Sequence, residues 1–294
     1  MPDRLAHTSV PDAGISIVAA VTTDLVREIR DRHDLSPLAT AAVGRLATGA
    51  VLFGAGLKGR EQVSIQIAAD GPIGALFADA WLLDEHTIGA RGYARNPHVD
   101  LPLNARGKFD VGGALGSGSL QVTKTHEAAR PYMGVVPLET GEIGDDLTAY
   151  LARSEQIPSA VALGVLANPQ GIIAAGGILA QVLPGADERA VRELERRAQA
   201  LPPVTELMRE GADADALVRG LAGDFDLREH GHLGIRFACL CSREKVEAAL
   251  IGLGAEDLRR LALERDQTEA DCEYCKKRYD FTAEELLALS AHVR

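Results

Sequence analysis

Alternation of apolar and polar side chains predicts strands in the first two thirds of the chain. Val63, Ile65 and Ile67 alternate with Ser64 and Gln66, which is the period of two expected for a half-buried strand. The neighbouring Gly71-Pro72 predicts a turn. Further strands are predicted over Ala75–Trp81, Ile88–Ala94 and Ser119–Thr125.

An uncharged segment, residues 157–186, is long enough to span a bilayer. It is interrupted by Pro158, by Gly176-Gly177 and by Asn168-Pro169-Gln170-Gly171, a typical turn sequence. We therefore predict a hairpin of two buried strands, Ala160–Ala167 and Ile172–Val182, and no membrane partner. The first 20 residues lack the pattern of a secretory signal, so we expect a soluble, cytoplasmic protein.

Helices are predicted from caps and from apolar periodicity. Ser36 as N-cap and Pro37 at the first helical position begin a run, Leu38–Leu57, that is apolar on nearly every face and is expected to be a buried central helix. A capping box, Thr282 to Glu285, begins the last helix. Other helices are predicted near residues 145–153, 188–200, 204–209, 213–222, 242–250 and 255–265.

Charge divides the chain unevenly. Residues 187–294 carry 40 of the 73 charged side chains. Residues 1–186 are therefore predicted to be a glycine-rich core with few charges, and residues 187–294 to be polar and helical. The net charge of −11 repels phosphate backbones and argues against a nucleic-acid partner. We predict an α+β core domain over 1–186, a helical linker over 187–236 and a C-terminal domain over 237–294. Pairing in the core is expected to be mainly antiparallel, because no regular strand–helix–strand alternation appears.

The four cysteines all lie in the C-terminal domain: Cys239, Cys241, Cys272 and Cys275. Their pattern is C-x-C, thirty residues, then C-x-x-C. Two such pairs offer four thiolates at tetrahedral corners, the geometry of structural zinc sites, and leave no open position for a catalytic water. The sequence therefore predicts one zinc ion held by all four cysteines in a small module, with no catalytic residues.

Zinc keeps cysteines as thiolates, the form that oxidants attack. A disulfide sulfur is a poor ligand, so oxidation would release the metal and unfold a module whose folding depends on it. A Cys239–Cys241 bridge closes a small, strained ring, and Cys272–Cys275 is the less strained pairing. This chemistry permits a reversible redox switch, although a purely structural zinc has the same pattern.

Several segments resemble the heat shock protein 33 family of redox-regulated chaperones. They are residues 237–244 and 272–275 around the cysteines, Tyr279-Asp-Phe281, Ser154-Glu-Gln-Ile-Pro158, Ala174–Pro184, Asp70-Gly-Pro-Ile73 and Tyr132-Met-Gly134. The resemblance covers nearly the whole chain and is weakest in the helices of the linker.

The resemblance implies a holdase that binds unfolding client proteins without ATP, and not an enzyme. In the reduced state Cys239, Cys241, Cys272 and Cys275 hold zinc and the chaperone is inactive. Oxidation pairs Cys272 with Cys275 and then Cys239 with Cys241, expels zinc, disorders the module and the linker, and leads to a homodimer. All of this is implied by the resemblance.

Other motifs are interpreted as structural. Gly54-Ala-Gly-Leu-Lys-Gly59 matches a dinucleotide fingerprint but closes a helix, so we interpret it as a C-cap loop. Residues 112–118 are expected to form a glycine-rich turn, and His230 and His232 are expected to be solvated loop residues. Lys276-Lys277-Arg278 is interpreted as a solvated face, and Ser154-Glu155-Gln156 as the end of a helix.

Two other classes of protein share the cysteine pattern. A zinc-ribbon adaptor or nucleic-acid-binding regulator would hold a purely structural zinc and would not respond to peroxide. A thiol oxidoreductase would use Cys272 and Cys275 catalytically and turn over a small disulfide substrate.

Overall fold

Residues 2–105, 107–127, 130–168 and 171–292 are described by a computed structural model of the chain. The chain forms two units, Met1–Ala238 and Cys239–Arg294, which we call the body and the cysteine module. The fold class is the predicted α+β. The predicted boundaries of a core over 1–186, a linker over 187–236 and a C-terminal domain over 237–294 stay a prediction.

The body is built on a large mixed sheet. Its strands are β1 (Arg4–Val10), β2 (Ile15–Val21), β3 (Gln62–Ala69), β4 (Ala75–Asp84), β5 (Thr87–Ala94), β6 (Gly118–Thr125), β7 (Tyr132–Pro137), β8 (Ser159–Asn168), β9 (Gly171–Val182) and β10 (Arg228–Phe237). Their order is β7-β6-β3-β4-β5-β10-β1-β2-β9-β8. Within the described residues the neighbours are antiparallel except β5 and β10, so the predicted antiparallel character is confirmed.

Helices cover both faces of this sheet. They are α1 (Thr23–His33), α2 (Pro37–Phe53), α3 (Val111–Leu115), α4 (Gly144–Tyr150), α5 (Glu188–Ala200), α6 (Val204–Arg209) and α7 (Ala214–Ala222). The principal core lies between α1, α2 and one face of the sheet, and a second core lies between α5, α6, α7 and strands β1, β2 and β9.

Helix α2 is the predicted buried central helix. The hydroxyl of Ser36 accepts a hydrogen bond from the backbone N–H of Ala39 at 3.2 Å, which caps its first turn. The segment Pro37–Gly56 is apolar and long enough to cross a membrane, but 83% of its most apolar window is buried inside the fold. The apolar side chains of α2 therefore belong to the principal core of the body. The helix ends at Phe53, and a 3₁₀ turn, Gly54–Gly56, follows it, so the glycine motif does close a helix.

The predicted hairpin is present as β8 and β9, although Pro169 and Gln170 of its turn lie outside the described residues. The expectation that both strands are buried is wrong for β8. Among its ten residues, Gly164 and Val165 are buried and the others are half-buried or exposed, because β8 is the last strand of the sheet and β9 covers one edge of it.

Two sequence interpretations need correction. Residues 228–236, the end of the predicted helical linker, form β10 together with Phe237, and this strand lies inside the sheet between β5 and β1. His230 and His232 therefore belong to a strand and not to a solvated loop. The glycine-rich segment 112–118 is only partly a turn, because α3 covers Val111–Leu115, with Asp110 accepting a hydrogen bond from Gly113 N–H as its N-cap.

The cysteine module has its own elements and core. Helices α8 (Arg243–Ile251), α9 (Ala255–Glu264) and α10 (Ala283–Ser290) accompany a hairpin of β11 (Gln267–Asp271) and β12 (Arg278–Thr282). The buried residues of its hydrophobic core are Leu258, Tyr279, Phe281 and Leu286. The Thr282–Glu285 capping box at the start of α10 is present as predicted.

Candidate metal centre

Two turns bring the four cysteines together. Cys239 and Cys241 lie in the segment directly before α8, and Cys272 and Cys275 lie in the turn between β11 and β12. The backbone N–H of Cys272 donates to the Lys277 carbonyl at 2.9 Å, and Lys276 N–H donates to the Cys272 carbonyl at 2.8 Å. These hydrogen bonds close the C-x-x-C turn so that its two side chains point the same way.

The sulfur atoms form a single cluster in which all four lie within 4.8 Å of one another. The Sγ atoms of Cys239 and Cys272 are 3.7 Å apart, and those of Cys241 and Cys275 are 3.4 Å apart. A tetrahedral zinc ion with Zn–S bonds of about 2.3 Å requires S–S distances of about 3.8 Å. The cluster therefore has the dimensions and the donor chemistry that suit a four-thiolate metal site.

Burial makes the thiols of Cys272 and Cys275 poor acids. It raises the pKa of Cys272, although the backbone N–H groups of Cys275 and Tyr274 donate to its sulfur and act in the opposite direction. Burial also raises the pKa of Cys275, against a hydrogen bond from Lys277 N–H. All four cysteines are free of disulfides. A buried cluster of this kind holds thiolates when a cation compensates their charge.

A tyrosine completes the surroundings of the cluster. The hydroxyl of Tyr279 donates a hydrogen bond to Cys241 Sγ at 3.2 Å. This bond and burial raise the pKa of Tyr279. Tyr279 and Phe281 alternate along β12 with exposed residues, so both rings enter the small core of the module.

An arginine ties α8 to the hairpin and α10. Arg243 donates to the Asp280 carbonyl at 3.0 Å and to the Glu285 carboxylate at 2.6 Å, and its guanidinium lies 4.3 Å from the centre of the Phe281 ring. Sequence analysis missed this clamp and also missed β11 and β12. The period-two pattern of Tyr279 and Phe281 was the available signal for β12.

The remaining candidates belong to the body or take part in ion pairs. His230 Nε2 is 2.8 Å from Ser9 Oγ, and His232 Nε2 is 2.7 Å from the Asp215 carboxylate. Lys276 pairs with Glu273, and Arg278 pairs with Glu269 and Asp271, so the short basic run is exposed but largely neutralised. Ser154 and Glu155 end a π-helical turn, Leu151–Glu155, as the predicted helix end.

The sequence matches known proteins over nearly its full length. The family model described as Hsp33 protein matches residues 3–282. The 33 kDa chaperonin of Acetivibrio thermocellus is 39% identical over 291 residues, which cover 98% of this chain and 97% of that protein. The 33 kDa chaperonin of a Nostoc species is 42% identical over 293 residues, covering 98% and 96% of the two chains.

The fold matches a solved structure equally broadly. The crystal structure of the 33 kDa chaperonin (heat shock protein 33 homolog) from Thermotoga maritima superposes with a TM-score of 0.89. The two sequences are 34% identical, and the match covers 99% of each chain.

Proposed function

The chain belongs to the Hsp33 family of chaperones, and from this premise we propose that it is a redox-regulated, ATP-independent holdase that binds unfolding proteins under oxidative stress. The observation that carries the proposal is the cluster of four free thiols with tetrahedral dimensions in a module with a very small core. A stable core in the same chain as a metal-dependent module is the combination that a metal-controlled chaperone requires.

In the reduced state, Cys239, Cys241, Cys272 and Cys275 would hold one zinc ion through their four sulfurs, which lie within 4.8 Å of one another. Bound zinc supplies positive charge that keeps the four sulfurs as thiolates. Four protein ligands fill a tetrahedron, so the site serves folding and sensing, and no residue of it is assigned a catalytic role.

Oxidation by hydrogen peroxide proceeds at sulfur. A thiolate attacks one peroxide oxygen, the O–O bond breaks, and a sulfenic acid and hydroxide form. A second thiolate then attacks the sulfenic sulfur, the S–S bond forms and a second hydroxide leaves. Each peroxide thus takes two electrons from two cysteines, and the two hydroxides take up protons to become water. We assign the disulfides to Cys272 with Cys275 and then to Cys239 with Cys241.

Loss of four thiolates from the cluster leaves the cysteine module without its metal. Among the described residues, its hydrophobic cluster has only Leu258, Tyr279, Phe281 and Leu286 as buried members, which is little for an independently stable fold. We propose that the cysteine module unfolds, that helices α5, α6 and α7 of the linker over 187–236 follow, and that the core over 1–186 stays folded. Exposed apolar surface then binds clients and supports a homodimer in the cytoplasm.

The proposal is tested by the aggregation of an unfolding client, followed by light scattering without ATP. Zinc-loaded reduced protein is expected to leave aggregation unchanged, and protein treated with peroxide at raised temperature is expected to suppress it. Dithiothreitol after oxidation should restore the inactive form and serves as the control. A client that aggregates equally in both states would contradict the proposal and favour a purely structural zinc.

A further inference from the structure

The Tyr279 hydroxyl lies 3.2 Å from Cys241 Sγ and donates a hydrogen bond to it. We propose that Tyr279 is a positioning residue of the redox switch, which slows oxidation of Cys241 and transmits its oxidation to the core of the module. This inference rests on the proposed function, because it assigns a role within the same cysteine cluster.

The hydroxyl is fixed by packing. Tyr279 lies on β12, opposite Ala270 of β11, and is 6% exposed. Its ring shares the core with Leu258, Phe281 and Leu286. Because the ring is packed on the inner side of the hairpin, the hydroxyl cannot turn to solvent without disturbing that core.

The donor to Cys241 differs in kind from the donors to the C-x-x-C pair. Cys272 accepts from the backbone N–H groups of Tyr274 and Cys275, and Cys275 accepts from that of Lys277, all within one turn. Cys241 accepts from a side chain that lies 38 residues along the chain. Tyr279 therefore connects the first cysteine pair to the hairpin that carries the second.

A hydrogen bond to a thiolate withdraws electron density from the sulfur. Attack on peroxide uses that density, since the sulfur lone pair forms the S–O bond while the O–O bond breaks. The Cys241 thiolate must weaken its bond from Tyr279 to react. Cys241 is therefore held back relative to the same thiolate without this donor.

Oxidation also changes what the hydroxyl can bind. Once Cys241 is in a disulfide, its sulfur carries no charge and is a weak acceptor. The buried hydroxyl of Tyr279 then lacks a good partner, and a buried donor without a partner destabilises the fold around it. The same residue thus couples the second disulfide to unfolding of the core that contains its ring.

The test uses the full-length, zinc-loaded, reduced protein and its Tyr279→Phe variant, which keeps the ring and removes the hydroxyl. Pulsed alkylation with iodoacetamide, with mass spectrometry of each cysteine peptide, is expected to show Cys241 reacting about tenfold faster in the variant, with Cys272 unchanged. In protein loaded with Co²⁺, the sulfur-to-metal charge-transfer band is expected to move to lower energy. Tyr132→Phe, which removes a hydroxyl bonded to Ser154 in the body, should match the unmodified protein in both measurements.

Two results would overturn this role for Tyr279. One is an unchanged Cys241 rate and an unchanged Co²⁺ band in the variant. The other is equal acceleration of all four cysteines, which would indicate general loosening of the module. Neither result contradicts the proposed function, provided that the unmodified protein binds zinc and releases it on oxidation. Failure of the unmodified protein to bind Zn²⁺ or Co²⁺ would contradict both proposals at once.

Discussion

Cys241 and Cys275 are 34 residues apart in the sequence, and their sulfur atoms lie 3.4 Å apart. Cys239 and Cys272 make the matching contact at 3.7 Å. Each short contact joins one cysteine of the C-x-C pair to one of the C-x-x-C pair. The segment before α8 is thereby held against the β11–β12 turn, and the contacts that hold it are those a metal would strengthen.

Removal of the metal is expected to unfold the cysteine module and leave the core over 1–186 folded. The module buries few large apolar side chains, whereas the body has an extensive core around α2. Hydrogen exchange with mass spectrometry, with and without a zinc chelator, checks this. Peptides from β11, β12 and α10 should lose protection, and peptides from α2 serve as the internal control. Retained protection of β12 in the chelated protein would show that the module folds without metal.

Arg243→Ala is expected to loosen the module without removing any metal ligand. The variant loses the hydrogen bonds to the Asp280 carbonyl and to Glu285, and the contact with the Phe281 ring. We expect the unfolding midpoint of the zinc-loaded module to fall by about 5 °C.

The matched control for this variant is Arg260→Ala. Arg260 lies on α9, is 65% exposed in its side chain and pairs only with neighbours on its own helix among the described residues. Its replacement should leave the midpoint nearly unchanged. Equal shifts in the two variants would show that Arg243 does not act as a clamp.

Gly177→Ala is expected to destabilise the body by about 1–3 kcal/mol. A Cβ at this position of β9 would lie 2.6 Å from Leu163 Cδ2 and 2.7 Å from the Ala162 carbonyl oxygen, so β8 and β9 would have to separate. Gly56 has no atom within 4 Å of an added Cβ, and Gly56→Ala should change the free energy of unfolding by less than about 0.5 kcal/mol. Urea denaturation of the two variants compares them directly, and equal stabilities would contradict the packing argument.

Asp3 gives the body a pH dependence. Its carboxylate accepts hydrogen bonds from the N–H groups of Asp24 and Leu25 at 3.0 and 2.7 Å, at the start of α1. Burial outweighs these donors and raises its pKa from 3.8 to about 6. As pH rises through this interval, the unfolded chain gives up the Asp3 proton first, so the stability that the protonated group contributes is lost by the time the pH exceeds about 6.

The non-titrating variant Asp3→Asn isolates this effect. The free energy of unfolding of the unmodified protein, relative to the variant, is expected to fall by about 2 kcal/mol between about pH 4.5 and pH 7. Denaturant unfolding of both proteins across that range measures it. A difference that stays constant with pH would show that Asp3 titrates at the same pH in the folded and unfolded states.

Sequence reasoning was most successful where local chemistry decides structure. Ser36 caps α2, Thr282 and Glu285 form the capping box, and the alternation of Val63, Ile65 and Ile67 marks β3, because caps and periodicity act over a few residues. The clustering of the cysteines was likewise readable from their spacing. Whether they bind zinc and form the assigned disulfides stays a prediction.

Elements that depend on distant partners were missed. Arg228–Phe237 begins with polar residues and alternates only over Leu233, Ile235 and Phe237, and it forms β10 because β1 and β5 flank it from positions more than a hundred residues earlier. The Tyr279 contact with Cys241 was hidden for the same reason, since only the packed hairpin brings the hydroxyl to the sulfur. Long-range pairing of this kind leaves little trace in a local pattern.

The central claim is that oxidation of the four cysteines to two disulfides releases the metal. Native mass spectrometry of the full chain before and after peroxide at raised temperature tests it most directly, with peptide mapping of the disulfides. The account predicts one zinc ion and no disulfide before treatment, and no zinc with Cys272–Cys275 and Cys239–Cys241 disulfides afterwards. Zinc that stays bound to the peroxide-treated chain, or zinc lost while all four thiols remain reduced, would contradict it.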